Sequence, residues 1–125
     1  MHVTTLLTVL LTAAVPGANL SYDQAKAFAD RDEGSLSQSQ SQQLVASQGK
    51  AGGEAHATCV SPSSKSDLSP YAVVMELDSS GKVIRTWLQG KSALAVCFNG
   101  QMAKKSLFVP PHAPFYTSYE MSWEP

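Results

Sequence analysis

Residues 71–88 of the chain read YAVVMELDSSGKVIRTWL, and this stretch decides the fold. In its first part Tyr71, Val73, Met75 and Leu77 alternate with a second set of side chains, which is the period of a β-strand. The run DSSGK that follows is a tight connection, with Gly81 placed for a positive φ. The last six residues are rich in β-branched and aromatic side chains, as a second strand requires. The stretch therefore predicts a β-hairpin.

The chain after the hairpin predicts a helix and a third strand. Ser92 is a candidate N-cap, and the helix that follows carries one apolar stripe consisting of Leu94, Cys97, Phe98 and Met102. The prolines of residues 107–114 end this helix and make that segment extended. Residues 115–123 then alternate between an apolar face and a polar face. This alternation predicts an antiparallel sheet with one face covered and the other in water.

Residues 21–59 predict two helices ahead of the hairpin. Ser21 and Gln24 have the spacing of a capping box, and the first helix is expected to stop near Gly34. The second begins after Ser37 and either reaches Cys59 or breaks near a glycine pair, while its Ser/Gln-rich start would alternatively form a linker. The whole pattern predicts one α+β domain over residues 19–125, with helices and a small antiparallel sheet in two layers.

The first 18 residues predict a secretory signal peptide. Residues 1–21 contain no Lys, Arg, Asp or Glu, and a ten-residue apolar run extends from Leu6 to Val15. Ten helical residues rise only about 15 Å, half of the roughly 30 Å membrane core, whereas this length suits the apolar part of a signal. We therefore expect a periplasmic or secreted protein with no membrane span after cleavage. The alternative is an N-terminal core element.

Composition excludes several classes of protein. The chain has 125 residues, 15% of them charged, and a formal net charge of −1. This balance excludes a basic nucleic-acid binder driven by counterion release and an acidic disordered tail. Two cysteines are too few for a disulfide-dense mini-protein. The sequence contains no phosphate-binding glycine motif, nucleophile elbow or metal-binding helix motif, and no cofactor is expected.

The segment from Tyr71 to Trp123 resembles the C-terminal domain of TonB-type periplasmic proteins. The matching features are the hairpin with its Asp-Ser-Ser-Gly-Lys-Val turn, the strand carrying Trp87, the helix, Leu-Phe-Val-Pro-Pro and the last strand. The resemblance implies a small periplasmic α+β unit over about residues 70–124, which binds a protein partner, often by adding a strand, and has no catalytic residues. A helical extension and a cysteine pair replace the family's membrane anchor and Pro-rich spacer, so energy transduction to transporters does not carry over.

Cys59 and Cys97 predict one disulfide if the chain is exported, because there is no third cysteine. Two other interpretations use the same residues. His56 and Cys59 lie one helical turn apart, and Cys97 and His112 would complete a tetrahedral zinc site. A catalytic Cys–His pair would instead need a free thiol at Cys97.

The candidate partner-binding residues are Phe108, His112, Tyr116 and Glu120. They lie in the extended segment 107–116 and in the last strand, 115–123, whose free edge would pair with an extended partner. Tyr116 shares the polar face of that strand and is a contact residue if it is exposed, whereas His112 is otherwise an ordinary solvated side chain. The remaining aromatic residues either form the sheet core or line a ligand groove.

Three functions follow from these features, and a fourth, a purely structural envelope protein, is not distinguished from the first by the sequence. The first is a non-enzymatic protein-binding module of the cell envelope. The second is an inhibitor or immunity protein against a secreted toxin or cell-wall hydrolase, acting through a loop at residues 60–70 or 108–114 that carries one protruding side chain. The third is an enzyme that uses Cys97 or the carboxylates of Glu76 and Asp78, although those carboxylates are also expected to pair with nearby basic residues.

Overall fold

The computed structural model describes residues 19–60 and 67–123. Its elements are α1 (Tyr22–Gly34), α2 (Gln38–Cys59), β1 (Tyr71–Leu77), β2 (Val83–Gln89), α3 (Ala93–Met102) and β3 (Phe115–Met121). The three strands form one antiparallel sheet in the order β2-β1-β3. The predicted α+β class and order of elements are confirmed, and the predicted signal peptide lies outside the described residues. Within them, no helix has the length and hydropathy needed to cross a membrane.

Serine side chains begin all three helices, as the sequence predicts for Ser21, Ser37 and Ser92. Each hydroxyl accepts a hydrogen bond from the backbone N–H three residues later. In α1 and α2 the side-chain oxygen of Gln24 or Gln40 in turn accepts a hydrogen bond from the backbone N–H of the capping serine. These capping boxes satisfy N–H groups that have no partner within a helix, so the starts of α1 and α2 are determined locally.

Helix α2 is continuous from Gln38 to Cys59 and does not break at its glycines. Gly52 is buried against the sheet, and a Cβ atom at this position would lie 2.6 Å from the ring of Tyr119. Glycine therefore allows the helix backbone to approach the aromatic side chains of the sheet closely. Packing against the sheet compensates for the poor helix propensity of this segment, and the linker interpretation of its first residues is wrong.

The hairpin has the predicted tight turn and one irregularity. Gly81 adopts φ +91°, and the carboxylate of Asp78 accepts hydrogen bonds from the N–H groups of Ser80 and Lys82. Along the strands, Glu76 lies opposite Arg85 whereas Leu77 lies opposite Val83. Residue 84 is thus an extra residue in β2, a β-bulge that twists the strand next to the turn.

Helices cover both faces of the sheet, so the domain has three layers and not the predicted two. Helices α2 and α3 cover the face that carries Val73, Met75 and Phe115. Helix α1 covers the opposite face, where Ala25 and Ala29 pack on Val74, Tyr116 and Trp87. The prediction of one wetted face was wrong, because serines and a glutamate along β3 indicate polarity without showing that a helix with small side chains lies over them.

The predicted disulfide is present. Cys59, the last residue of α2, is bonded to Cys97 in α3, and their Cα atoms are 5.7 Å apart. The bond joins the two helices that lie on the same face of the sheet. Because both cysteines are consumed in it, neither offers a thiolate ligand for zinc.

Candidate functional site

The β3 edge, which the sequence proposes as a docking strand, is covered at its centre by side chains of the N-terminal helices. The backbone N–H of Tyr116 donates to Asp32 Oδ2 at 2.9 Å, and that of Ser118 donates to Glu33 Oε2 at 2.9 Å. The Ser118 carbonyl accepts from Gln48 Nε2 at 3.1 Å. Backbone groups that would pair with an incoming strand are therefore already hydrogen-bonded.

Asp32 holds the connection between α1 and α2 over this edge. Its side chain is only 3% exposed, and its Oδ1 lies 3.1 Å from Arg31 Nη2 and 3.8 Å from His112 Nε2. The partners of this buried carboxylate satisfy the requirement that a buried charge be paired. The arrangement links the end of α1, the β3 edge and the proline-rich segment before β3.

Two of the four predicted contact residues are buried. Tyr116 is 2% exposed and Phe108 is 7% exposed, so the condition for a contact role of Tyr116 is not met. The centroid of the Tyr116 ring lies 5.4 Å from that of Phe28 and 6.0 Å from that of Trp87. Burial and the nearby carboxylate of Glu76 raise the pKa of Tyr116 to about 12. The aromatic residues on this face thus belong to the core under α1.

The other two predicted residues, His112 and Glu120, are exposed. Glu120 lies 3.2 Å from Lys26 Nζ, toward the beginning of α1, whereas His112 lies beside Asp32 at the end of α1. The structure therefore does not bring the four predicted residues together into one surface.

The pairing register shows which backbone groups of β2 face outward. The N–H and C=O groups of Ser118 point away from the sheet, and Ser118 lies opposite Val74. In antiparallel strands the hydrogen-bonding direction alternates residue by residue, so Val74 directs its backbone groups to its β2 partner Trp87. The neighbours Thr86 and Leu88 consequently direct theirs away from the sheet.

The outward groups of Thr86 and Leu88 form an open edge. Within residues 19–60 and 67–123, β2 has no strand on that side and no hydrogen bond reaches these groups. Toward the turn the edge is closed by the bridge between Lys82 and Ser106 and by the bulge at Ile84. The open section is therefore residues 85–89, which we call the β2 edge. Sequence periodicity did not identify it, because strand order is a long-range property.

The residues proposed for catalysis have structural roles in the described part of the chain. Cys97 has no thiol because it is bonded to Cys59. Glu76 is buried under α1 and lies 3.2 Å from Arg85 Nη1, whereas Asp78 holds the hairpin turn. The two carboxylates thus have separate structural roles.

Next to the disulfide, His56 lies in a cluster of aromatic rings. Its Nε2 is 2.8 Å from the hydroxyl of Tyr71, and its ring centroid is 4.9 Å from that of Phe98. Burial lowers the pKa of His56 and raises that of Tyr71 well above its usual range. A neutral imidazole can accept a hydrogen bond from the Tyr71 hydroxyl at Nε2, whereas a protonated imidazole has no acceptor nitrogen.

We expect the free energy of unfolding to fall as the pH is lowered from 7 to 5. The unfolded chain binds a proton at His56 with the ordinary pKa of about 6.5, and the folded chain binds it only at lower pH. The contribution of neutral His56 to the free energy of unfolding is fully present above that ordinary pKa. It is lost as the pH falls through the pKa of His56 in the folded chain. Urea unfolding at several pH values measures this change, and H56Q should reduce it. An unchanged pH dependence in H56Q would contradict this assignment.

Comparisons with known proteins return no matching family model, curated protein or solved structure. The resemblance to TonB C-terminal domains therefore stays a prediction. The function must be argued from the surfaces that the fold covers and from those that it leaves open.

Proposed function

We propose that this chain is an exported, non-enzymatic protein-binding module of the cell envelope that takes up an extended partner segment at the β2 edge. The observation that supports the proposal is the contrast between the two edges of the sheet. The β3 edge is occupied at Tyr116 and Ser118, whereas the outward backbone groups of Thr86 and Leu88 are open in the described part of the chain. Unpaired edge groups are the template for strand addition.

The β2 edge offers side-chain contacts as well as backbone hydrogen bonds. Trp87, Leu88 and Arg85 are half-buried, and the indole N–H of Trp87 donates to the Leu20 carbonyl at 2.8 Å. These side chains are held in place before a partner arrives, which lowers the entropy lost on binding. A fourth strand beside β2 would contact them on alternate faces. A periplasmic location is part of the same proposal, and the disulfide is compatible with it.

Amide hydrogen exchange tests the state of the edge in the isolated chain. We expect the N–H groups of Thr86 and Leu88 to exchange quickly and that of Trp87 to exchange slowly, because Trp87 alone of the three donates into the sheet. Residue-resolved NMR measures the three rates. Slow exchange at both Thr86 and Leu88 in the free monomer would mean that the edge is already occupied, and the proposal would lose its support.

Substitution of Thr86 tests the binding itself. T86P removes the outward N–H without removing a bond to β1, and T86V is a matched control that keeps both the N–H and the shape. The oxidised chain is immobilised, a protein retained from the envelope extract of the source organism is identified, and its affinity for each variant is measured. We expect at least a tenfold loss with T86P and little change with T86V. Equal binding by T86P, or no retained protein, would argue against the proposal.

A second candidate function is the inhibitor or immunity protein, and one observation favours it. In the segment between α3 and β3, Val109 is 68% exposed although Leu107, Phe108 and Phe115 are buried. An exposed apolar side chain on an anchored loop is what the inhibitor hypothesis requires, so this observation supports it. The corresponding part of the 60–70 loop, residues 61–66, lies outside the described residues.

A further inference from the structure

The loop of residues 109–114, VPPHAP, stands on a rigid base. Three of its six residues are proline, none carries a formal charge with His112 neutral, and five are exposed. At the base the N–H of Leu107 donates to the Gly81 carbonyl at 2.8 Å, and the N–H of Phe108 donates to Ser47 Oγ at 3.1 Å. A loop that is held in this way loses little conformational entropy when it binds.

Four lysines lie near that base. Lys104 and Lys105 precede the loop, Lys82 is paired with Ser106 through a β-bridge, and Lys50 lines a cavity of about 270 Å³ together with Lys105 and Leu107. Two acidic residues lie at the base, and a third, the buried Asp32, lies beside His112 of the loop. Glu54 pairs with Lys105 at 3.0 Å, and Asp78 is engaged in the hairpin turn.

The lysines give this region a local positive charge. Within the described ranges, the ammonium groups of Lys50, Lys82 and Lys104 have no carboxylate oxygen within 4 Å, and all three residues are exposed. The chain as a whole has a formal net charge of −1, so the positive charge here contrasts with the rest of the molecule. Exposed charges of one sign around an apolar centre favour a partner of the opposite sign.

We propose that Val109 and these lysines form an interaction surface for an acidic protein that has an apolar pocket. Val109 would insert into the pocket, and carboxylates on its rim would pair with Lys82, Lys104 and Lys50. An apolar centre with a polar rim is the general arrangement of a protein–protein interface. A protruding loop on an anchored base is complementary to a concave surface. The inference rests on the proposed function only in requiring that the chain binds a protein, since it uses other residues than the β2 edge.

Site-specific photo-cross-linking tests this surface with the full, oxidised chain as the probe. The photoreactive residue p-benzoylphenylalanine replaces Val109 in one variant, Gln89 at the β2 edge in a second, and Val96 in a third. Val96 is a matched control because it is an apolar α3 side chain that is 56% exposed. Each variant is irradiated in the envelope extract of the source organism, and the cross-linked peptides are identified by mass spectrometry.

We expect a protein adduct at position 109 whose cross-linked peptide lies among Asp and Glu residues. The yield of this adduct should fall at least tenfold in K82Q/K104Q. It should also fall as the salt concentration is raised, and this second test leaves all the lysines in place. Circular dichroism checks that the lysine variant is folded.

The other outcomes would overturn this inference. They are a yield that responds neither to the lysine variant nor to salt, a yield no higher than at position 96, or an adduct with lipid in place of protein. An adduct at position 89 without one at 109 would remove this surface and leave the proposed function standing. The absence of protein adducts at both positions would count against both proposals.

Discussion

Replacing Cys59 and Cys97 together by alanine is expected to lower the free energy of unfolding by roughly 4 kcal/mol. The disulfide joins residues separated by 38 positions, and closing a loop of that length lowers the conformational entropy of the unfolded chain. A domain of this size has a net stability of about 5–15 kcal/mol, so the loss is a large part of the total. Urea unfolding followed by tryptophan fluorescence measures it.

The same substitution should loosen one part of the molecule first. Cys59 is the last residue of α2, so its bond to Cys97 ties the end of that helix to α3. Hydrogen exchange should therefore accelerate most in the last turns of α2. The exposed neighbour Thr58 provides a control, because T58A should change stability by less than about 0.5 kcal/mol. A loss below about 1 kcal/mol in the double variant would show that α2–α3 packing suffices without the bond.

G81A is expected to destabilise the fold by about 2–5 kcal/mol. Gly81 has φ +91°, a conformation that a residue with a Cβ rarely adopts. A Cβ atom there would lie 2.3 Å from the carbonyl oxygen of Phe108 and 2.9 Å from that of Leu107. Both are backbone atoms, so relief requires movement of the chain. The hydrogen bond from the Leu107 N–H to the Gly81 carbonyl would then be disturbed.

Chemical unfolding of G81A and of G100A measures the effect against a matched control. Gly100 lies on the exposed side of α3, and an added Cβ would have no atom within 4 Å. G100A should therefore stabilise the protein by roughly 0.5–1 kcal/mol. Equal stability of G81A and the wild type would mean that the segment entering the Val109 loop moves freely, and the rigid base assigned to that loop would be wrong.

Only part of the candidate site was predictable. The sequence pointed to strand edges and to the segment before β3, and the extended region around His112 is indeed exposed. It placed the docking edge on β3, where Asp32 and Glu33 occupy the backbone groups. No local sequence pattern shows these hydrogen bonds, because their partners are separated by 84 and 85 positions along the chain. The small side chains Ala25 and Ala29 gave only a weak signal for the helix face that covers Tyr116.

The sequence by itself determined the features that depend on neighbouring residues or on the number of cysteines. These are the serine caps, the hairpin with its glycine turn, the α+β class and the single disulfide, because backbone preferences and side-chain hydrogen bonds act within a few residues. The tertiary structure decided the strand order, the coverage of both faces and which edge is open. These depend on where α1 packs and on how its connection to α2 passes the β3 edge, and such contacts arise from burial of the whole surface and not from any local period.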